Sequence, residues 1–446
     1  MKPFVDDFLT FLRFKSVSTD PAYKQELLAC CTWLQEKIQG LGFQVERWEG
    51  KGHPVLFATH LQAGQDKPTL LIYNHYDVQP VDPENEWTTP PFEPTLRNGQ
   101  IFARGAQDNK GQCYYVYMAL KALLEKNKLL PINIKWIIEG EEECGSESLS
   151  QLLKDPKKQQ KLKSDYLVIV DMGMHAPDLP AITLGVRGIV TMEARFQGSK
   201  GDLHSGSHGG ITYNPLHALV EVLAKMRDAE GRVTIPGFYD DVEEISAADK
   251  KLLSFELDEM EYRKMFAAET TGGEKKYPPA ERGTIRPTLE INGIAGGYAG
   301  AGFKTVLPAK AVAKISCRLV PRQNPDQIAE KVAAFLKKHA PAGIRVEVEE
   351  MSHSPACRAN PNSAAVKAFA KAYEELFHKP CQSIFSGGTI PIATALKEAS
   401  QAEILLMGFG LPDDQIHAPD EHFGIDRLEK GAFVITRALE ILGQPD

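Results

Sequence analysis

Short, nearly continuous apolar runs punctuate the chain: TLLIYNHYDV (Thr69 to Val78), INIKWII (Ile132 to Ile138), DYLVIVD (Asp165 to Asp171) and AEILLMGFG (Ala402 to Gly410). Between them lie segments whose apolar residues recur at helical spacing. One spans 25–39, with Leu27, Leu28, Cys31, Leu34 and Ile38 on one side, and another is GQCYYVYMALKALLEKN over 111–127. Strands apolar on both faces need cover on both faces, so the alternation predicts an α/β fold, a mostly parallel sheet with helices on either side. The first residues predict a short amphipathic helix carrying Phe4, Phe8 and Leu12 on one face.

From about Arg187 the pattern changes. GIVTMEARF reads as a strand, NPLHALVEVLAKMRD as a helix, TLEING and AVAKISCRLV as strands, PDQIAEKVAAFLKKH as a helix and IRVEVEEM as a strand. That β-α-β-β-α-β order is ferredoxin-like. It predicts a small α/β domain over 187–352, inserted between the two parts of a larger one, 1–186 and 353–446. The polar stretch from Asp228 to Pro287 has little pattern and reads as an elaboration of the insert.

Composition narrows the function classes. A formal net charge of −8 lacks the basic footprint of a non-specific nucleic-acid binder. No apolar run approaches the ~18 residues that a membrane span needs. Seven cysteines, none in a CxxC pair, argue against both a disulfide framework and a cysteine zinc site. Asp6 and Asp7 stand where a signal peptide needs its apolar core, so a cytoplasmic location is expected.

The candidate chemistry sits at strand ends. His75 and Asp77 close the first apolar run, Glu142 and Glu143 follow the second, and Asp171 closes the third. His417 follows the last run, and Asp108 precedes the 111–127 helix. Open α/β sheets bind ligands outside the carboxyl ends of their strands. Each residue alone has a structural reading: Asp108 as a helix cap, the glutamates as a solvated helix start, the histidines as loop residues. Five segments pointing acids and imidazoles at one sheet edge favour a site instead, with cations to offset the repulsion. Two His with Asp and Glu, and no Cys, suit zinc, manganese or cobalt. Two imidazoles and three carboxylates match two metals that share a bridging carboxylate. His75 and Asp77, two apart on a strand, share a face, so Asp77 can take a hydrogen bond from the free nitrogen of His75.

The motifs HYDV, ARGAQDNKG, EGEEECGSE, VIVD, DLHSG and IHAPDE occur in the order of a large dinuclear zinc exopeptidase family. The chain resembles it from about residue 5 to 440. That family includes carnosine-type dipeptidases, glutamate carboxypeptidases, acetylornithine deacetylases and succinyl-diaminopimelate desuccinylases. DLHSG at 202–206, CRLVP at 317–321 and GGTIP at 387–391 look most like the dipeptidase branch. Departures are Asn74 where Gly is usual and Gln79 where Val is frequent.

The resemblance implies that His75 and Asp171 bind one metal, Glu143 and His417 the other, and that Asp108 bridges both. Glu142 would be the general base and Asp77 would orient His75. His204 would reach the active site of the partner in a homodimer formed through the inserted lid domain. Arg318 would bind the substrate carboxylate, near Thr305 and the Gly387–Gly388–Thr389 turn. Glu139 and Glu141 receive no role and are expected to be scaffold or solvated. The implied activity is hydrolysis of dipeptides with two divalent ions per chain, zinc first and manganese or cobalt as alternatives. A deacylase of N-acyl amino acids with the same site is the runner-up. A catalytically dead binding relative is disfavoured, because no ligand and no base is missing.

Overall fold

Every residue of the Asn133–Glu139 strand is buried, and so are all but the first of Thr69–His75. Side chains alternate across a strand, so burial at every position means cover on both faces. In the computed structural model, which describes residues 3–244, 250 and 257–444, these strands neighbour each other inside a nine-stranded sheet. Its central run is parallel, in the spatial order Asn133–Glu139, Thr69–His75, Tyr166–Val170 and Glu403–Met407. Val55–His60 and Gln44–Trp48 extend one side antiparallel, and Ala181–Val186 adds antiparallel at the other.

The helices that cover this sheet follow the apolar spacing. Lys24–Gln39 buries Leu27, Cys30, Cys31, Leu34 and Ile38. Lys110–Asn127 packs against Pro3–Arg13 and against the C-terminal helix Ile425–Leu442, which also meets Ala364–Phe377. Ile425–Leu442 buries Leu428, Gly431, Val434, Ile435, Ala438 and Leu439, a stripe at helical spacing. Gly431 is needed there for closeness: a Cβ would sit 2.5 Å from the Tyr115 ring.

The chain divides into two compact units. The first is Met1–Leu184, Arg358–Ile384 and Ile392–Asp446; the second is Gly185–Cys357 with Phe385–Pro391. The sequence reading put the junctions near 186 and 352 and gave all of 353–446 to the larger part. The contacts within the chain instead return Phe385–Pro391 to the smaller unit.

That smaller unit holds an antiparallel sheet in the spatial order Thr288–Gly296, Lys310–Leu319, Gly188–Gln197, Arg345–Ser354. Burial alternates along Gly188–Gln197, because only one face is covered, by Pro215–Ala224 and Pro325–His339. Val190, Met192, Ala194 and Phe196 meet Leu219, Val222, Val332 and Leu336 in its core. Both helices start on an Asn cap followed by Pro, with Asn214 accepting from the Leu216 N–H and Asn324 from the Gln327 N–H. The four strands of this sheet and its two covering helices follow one another in the order β-α-β-β-α-β. The stretch from Asp228 to Pro287 has more structure than its sequence pattern conveys. Val233, Ile235 and Phe238 join the core, and Arg286 pairs with Glu274 at 2.8 Å, both buried. Residues 245–249 and 251–256 of that stretch lie outside the described residues.

Candidate metal centre

The parallel register brings the strand ends level. His75 is opposite Glu139, and Asp171 directly follows Tyr166–Val170. Glu142 and Glu143 open a 3-10 turn, Glu142–Cys144, after the Asn133–Glu139 strand. Asp108 lies just before the Lys110–Asn127 helix, and His417, in a left-handed conformation at φ 60°, follows the Glu403–Met407 strand. The side chains converge on Asp108. Its Oδ1 is 3.1 Å from His75 Nε2 and its Oδ2 is 3.0 Å from His417 Nε2. His75 Nε2 is also 3.6 Å from Asp171 Oδ1, and His417 Nε2 is 3.3 Å from Glu143 Oε2. Two groups result, His75–Asp108–Asp171 and Asp108–Glu143–His417, each with its donor atoms within 4.8 Å of one another.

The electrostatics ask for cations. Burial pushes Glu143 up to about 7, with the Asp108 charge adding to it, and burial raises Glu142 well above the carboxylate range. Hydrogen bonds to Asp108 and Glu143 push His417 up to about 10. For His75 burial favours the neutral ring, yet hydrogen bonds to Asp108 and Asp171 overcome it and raise the ring well above its usual value. Glu143 Oε1 is buried without a hydrogen-bond partner among the described residues. Hard oxygen and imidazole donors, one carboxylate shared between two sets, and a buried carboxylate oxygen left unpaired fit a pair of divalent cations.

Asp77 departs from the sequence expectation in its route. The strand ends at His75, so the two residues do not share a strand face. Asp77 lies in the following loop, with its carboxylate 3.3 Å and its carbonyl 3.1 Å from His75 Nδ1. The same carboxylate accepts the Glu142 N–H at 3.2 Å and the Glu143 N–H at 3.0 Å. One buried acid thus orients an imidazole and anchors the turn that carries both glutamates.

Several supporting residues escaped the sequence reading. Glu421 is fully buried; its Oε1 accepts from the Gln107 and Asp108 N–H groups, and its Oε2 from Gly105 and Arg104. Asn109, joined to Asp108 by a cis peptide, donates to Asp171 Oδ1. Asn74 donates to Asn109 Oδ1 at 2.7 Å and accepts from Trp136 Nε1, so this departure from Gly is built into the support. Gln79 donates to Glu143 Oε2 at 2.8 Å. Glu139 and Glu141 are buried scaffold: Glu139 accepts from Tyr73 and Ser146 hydroxyls, Glu141 from the His53 and Ser148 N–H groups. Asn74 and Gln79 stood out in the sequence only as departures, and nothing separated Glu421 from the acids around it.

In the second unit, His204 pairs with Val306, and the Ser205 N–H donates to the Thr305 carbonyl at 3.1 Å, so His204 and Thr305 are neighbours. His204 is exposed, and its Nδ1 accepts from the Gly206 N–H. Arg318, partly buried, donates to Thr389 Oγ1 at 2.6 Å, which brings it to the Gly387–Gly388–Thr389 turn.

Among known proteins, the chain is 29% identical over 452 residues to the Cys-Gly metallodipeptidase dug1 of Schizosaccharomyces pombe, covering 96% of this chain and 93% of that one. It is 32% identical to the Beta-Ala-His dipeptidase of Homo sapiens, over 91% of this chain and 83% of the relative. Among solved structures, the M20 family metallo-carboxypeptidase Sso-CP2 from Sulfolobus solfataricus superposes with a TM-score of 0.90 at 34% identity. That alignment covers 99% of this chain and 100% of the other. Residues 71–441 match the profile of Peptidase family M20/M25/M40, and the chain belongs to that family.

Proposed function

We propose that this chain is a metal-dependent dipeptidase in which Glu142 is the general base. The observation that carries this reading is Asp108, which offers one oxygen to each of two three-residue donor groups. Beside them stands Glu142. Its main-chain N–H is fixed on Asp77, while its carboxylate accepts no hydrogen bond from the described residues. His75 and Asp171 would hold one divalent ion, Glu143 and His417 the second, and Asp108 both. Zinc suits the donors first, with manganese or cobalt as alternatives. Bound there, the ions supply Lewis acidity, making a water more acidic and a carbonyl more electrophilic.

The chain's own residues do the rest. Glu142 takes a proton from the water as its oxygen bonds to the amide carbon, then delivers that proton to the leaving nitrogen as the C–N bond breaks. Asp77 keeps His75 in the orientation that presents Nε2. His204, contributed by the partner of a homodimer formed through the inserted unit, donates to the developing oxyanion. Arg318 takes the substrate α-carboxylate in a fork that Lys cannot reproduce, with Thr305 and the Gly387–Gly388–Thr389 turn alongside. A cytoplasmic location belongs to the same proposal, supported by seven cysteines that are all free; no described helix is long and apolar enough to cross a membrane.

The carboxypeptidase name of the Sulfolobus relative favours one second reading, trimming of longer peptides from the C-terminus. The deciding experiment reconstitutes stripped protein with zinc, manganese or cobalt. It then compares dipeptides, tripeptides, and N-acetyl and N-succinyl amino acids. Dipeptides should be cleaved fastest. Faster release from N-acyl amino acids would establish a deacylase, and faster trimming of tripeptides a carboxypeptidase.

A further inference from the structure

Arg187 and Arg318 are partly buried guanidiniums of the same unit, and neither has a carboxylate within ion-pair distance among the described residues. Their acceptors are neutral. Arg187 Nε donates to the Gly387 carbonyl at 3.0 Å, and Nη1 to the Arg286 carbonyl at 3.2 Å. The main chain of Arg187 closes on the same turn: its N–H donates to the Gly388 carbonyl at 3.0 Å, and its carbonyl accepts from the Thr389 hydroxyl at 2.6 Å.

That last bond has a consequence for Arg318. A threonine hydroxyl has one proton and two lone pairs. With the proton committed to Arg187, Thr389 Oγ1 can only accept, and it accepts Arg318 Nη1 at 2.6 Å. One nitrogen of the Arg318 fork is thereby fixed in direction. The turn itself fits tightly: a Cβ on Gly387 would fall 2.2 Å from the Gly283 carbonyl oxygen and 2.9 Å from Arg187 Nη2. Three separate stretches, around 187, 282–286 and 387–389, are thus fastened at one guanidinium. Burial lowers the pKa of Arg187 to about 10, and the nearby Arg318 charge adds to the effect. The Glu290 charge offsets part of this, yet a part-buried cation next to another, hydrogen-bonded only to carbonyls, is costly unless a further anion completes the site.

We propose that Arg187 is a positioning residue for substrate carboxylate recognition: it shapes the Gly387–Gly388–Thr389 turn so that Thr389 orients the Arg318 guanidinium. This rests on the reading of Arg318 as the carboxylate-binding residue. It also gives the end of the 228–287 elaboration a task, since Arg286 is one of the fastening points. The role is in binding, so it acts on KM more than on kcat.

The test uses the metal-loaded enzyme with a dipeptide and the same dipeptide as its C-terminal amide. Wild type, R187M, R187K, R318M and the R187M/R318M double variant are compared for kcat and KM. Hydrogen exchange of the 385–391 peptide is followed in parallel. R187M should lower the acid-to-amide ratio of kcat/KM by about tenfold, mainly through KM for the acid. It should also speed exchange in 385–391, and R187K should recover part of both. In the R318M background R187M should change the ratio by less than about twofold, because the two substitutions remove one interaction. Equal losses on acid and amide, unchanged exchange in 385–391, or additive effects of the two substitutions would each overturn the proposal. If R187M does not fold, R187K decides by whether its acid-to-amide ratio falls. A wild type that cleaves acid and amide equally would refute the carboxylate role of Arg318 itself, and the inference with it. That failure is read from the wild type alone, before any Arg187 variant.

Discussion

Glu421 Oε1 accepts the main-chain N–H of Asp108 at 3.1 Å, across 313 positions of sequence. The carboxylate shared by the two candidate donor groups is therefore held from the far end of the chain. Glu421→Gln keeps the shape but weakens an acceptor that serves three N–H groups and a guanidinium. It should lower metal affinity by about 10–100-fold while the protein still folds, as read by chelator competition. Glu421→Ala leaves the buried Arg104 without its partner and should cost roughly 3–5 kcal/mol in denaturant unfolding. Wild-type metal affinity in Glu421→Gln would show that Asp108 holds its position unaided.

Glu142 and Glu143 are neighbours with opposite commitments. Glu143 meets His417 and Gln79, whereas the Glu142 carboxylate has no protein partner among the described residues. Glu142→Gln should abolish turnover with the metal content unchanged, and Glu143→Gln should lower both. Elemental analysis beside activity separates them, and equal metal loss in the two variants contradicts the division of labour.

The proposed reach of His204 into a partner's site makes a mixing prediction. A His204→Ala chain combined with a Glu142→Gln chain should regain part of the activity that each lacks alone. Subunit exchange is first verified with tagged chains. Continued inactivity after exchange would mean that His204 serves its own chain.

Glu139 gives a pH signature. Burial pushes its pKa up to about 8 from the usual 4.5. A carboxyl raised on folding is held protonated, so its contribution to stability is complete below 4.5 and is lost as pH rises toward 8. Glu139→Gln, a neutral mimic, escapes that loss. The difference in thermal midpoint between variant and wild type should therefore grow in favour of the variant from pH 5 to 8 and then level off. A difference that does not vary with pH would mean that Glu139 is ionised in the fold.

What could be read from the sequence was what periodicity encodes. The strands Thr69–His75 and Tyr166–Val170 are buried at every position but the first, so their apolar pattern marks both the strands and the edge where ligands gather. Asp77 was singled out for the right contact by the wrong geometry, because nothing in HYDV tells that the strand stops at His75. Glu421 was invisible for another reason. Asp413, Asp414 and Asp420 surround it, and only tertiary packing sends buried Asp414 to Arg427 and buried Glu421 to the Asp108 main chain. Composition likewise cannot tell a solvated Glu141 from one caught between the His53 and Ser148 amides.

The return of Phe385–Pro391 to the smaller unit, long after Cys357 has left it, means that this unit is not one continuous insertion. Excising 185–357 would strand the Thr389 hydroxyl and leave behind the turn that Arg187 fastens. An exchange of this unit between relatives therefore has to move two pieces of sequence at once. A chimaera built from the long piece alone would pair one protein's arginines with another's turn. Recombination breakpoints in this family should accordingly be tolerated in pairs rather than singly.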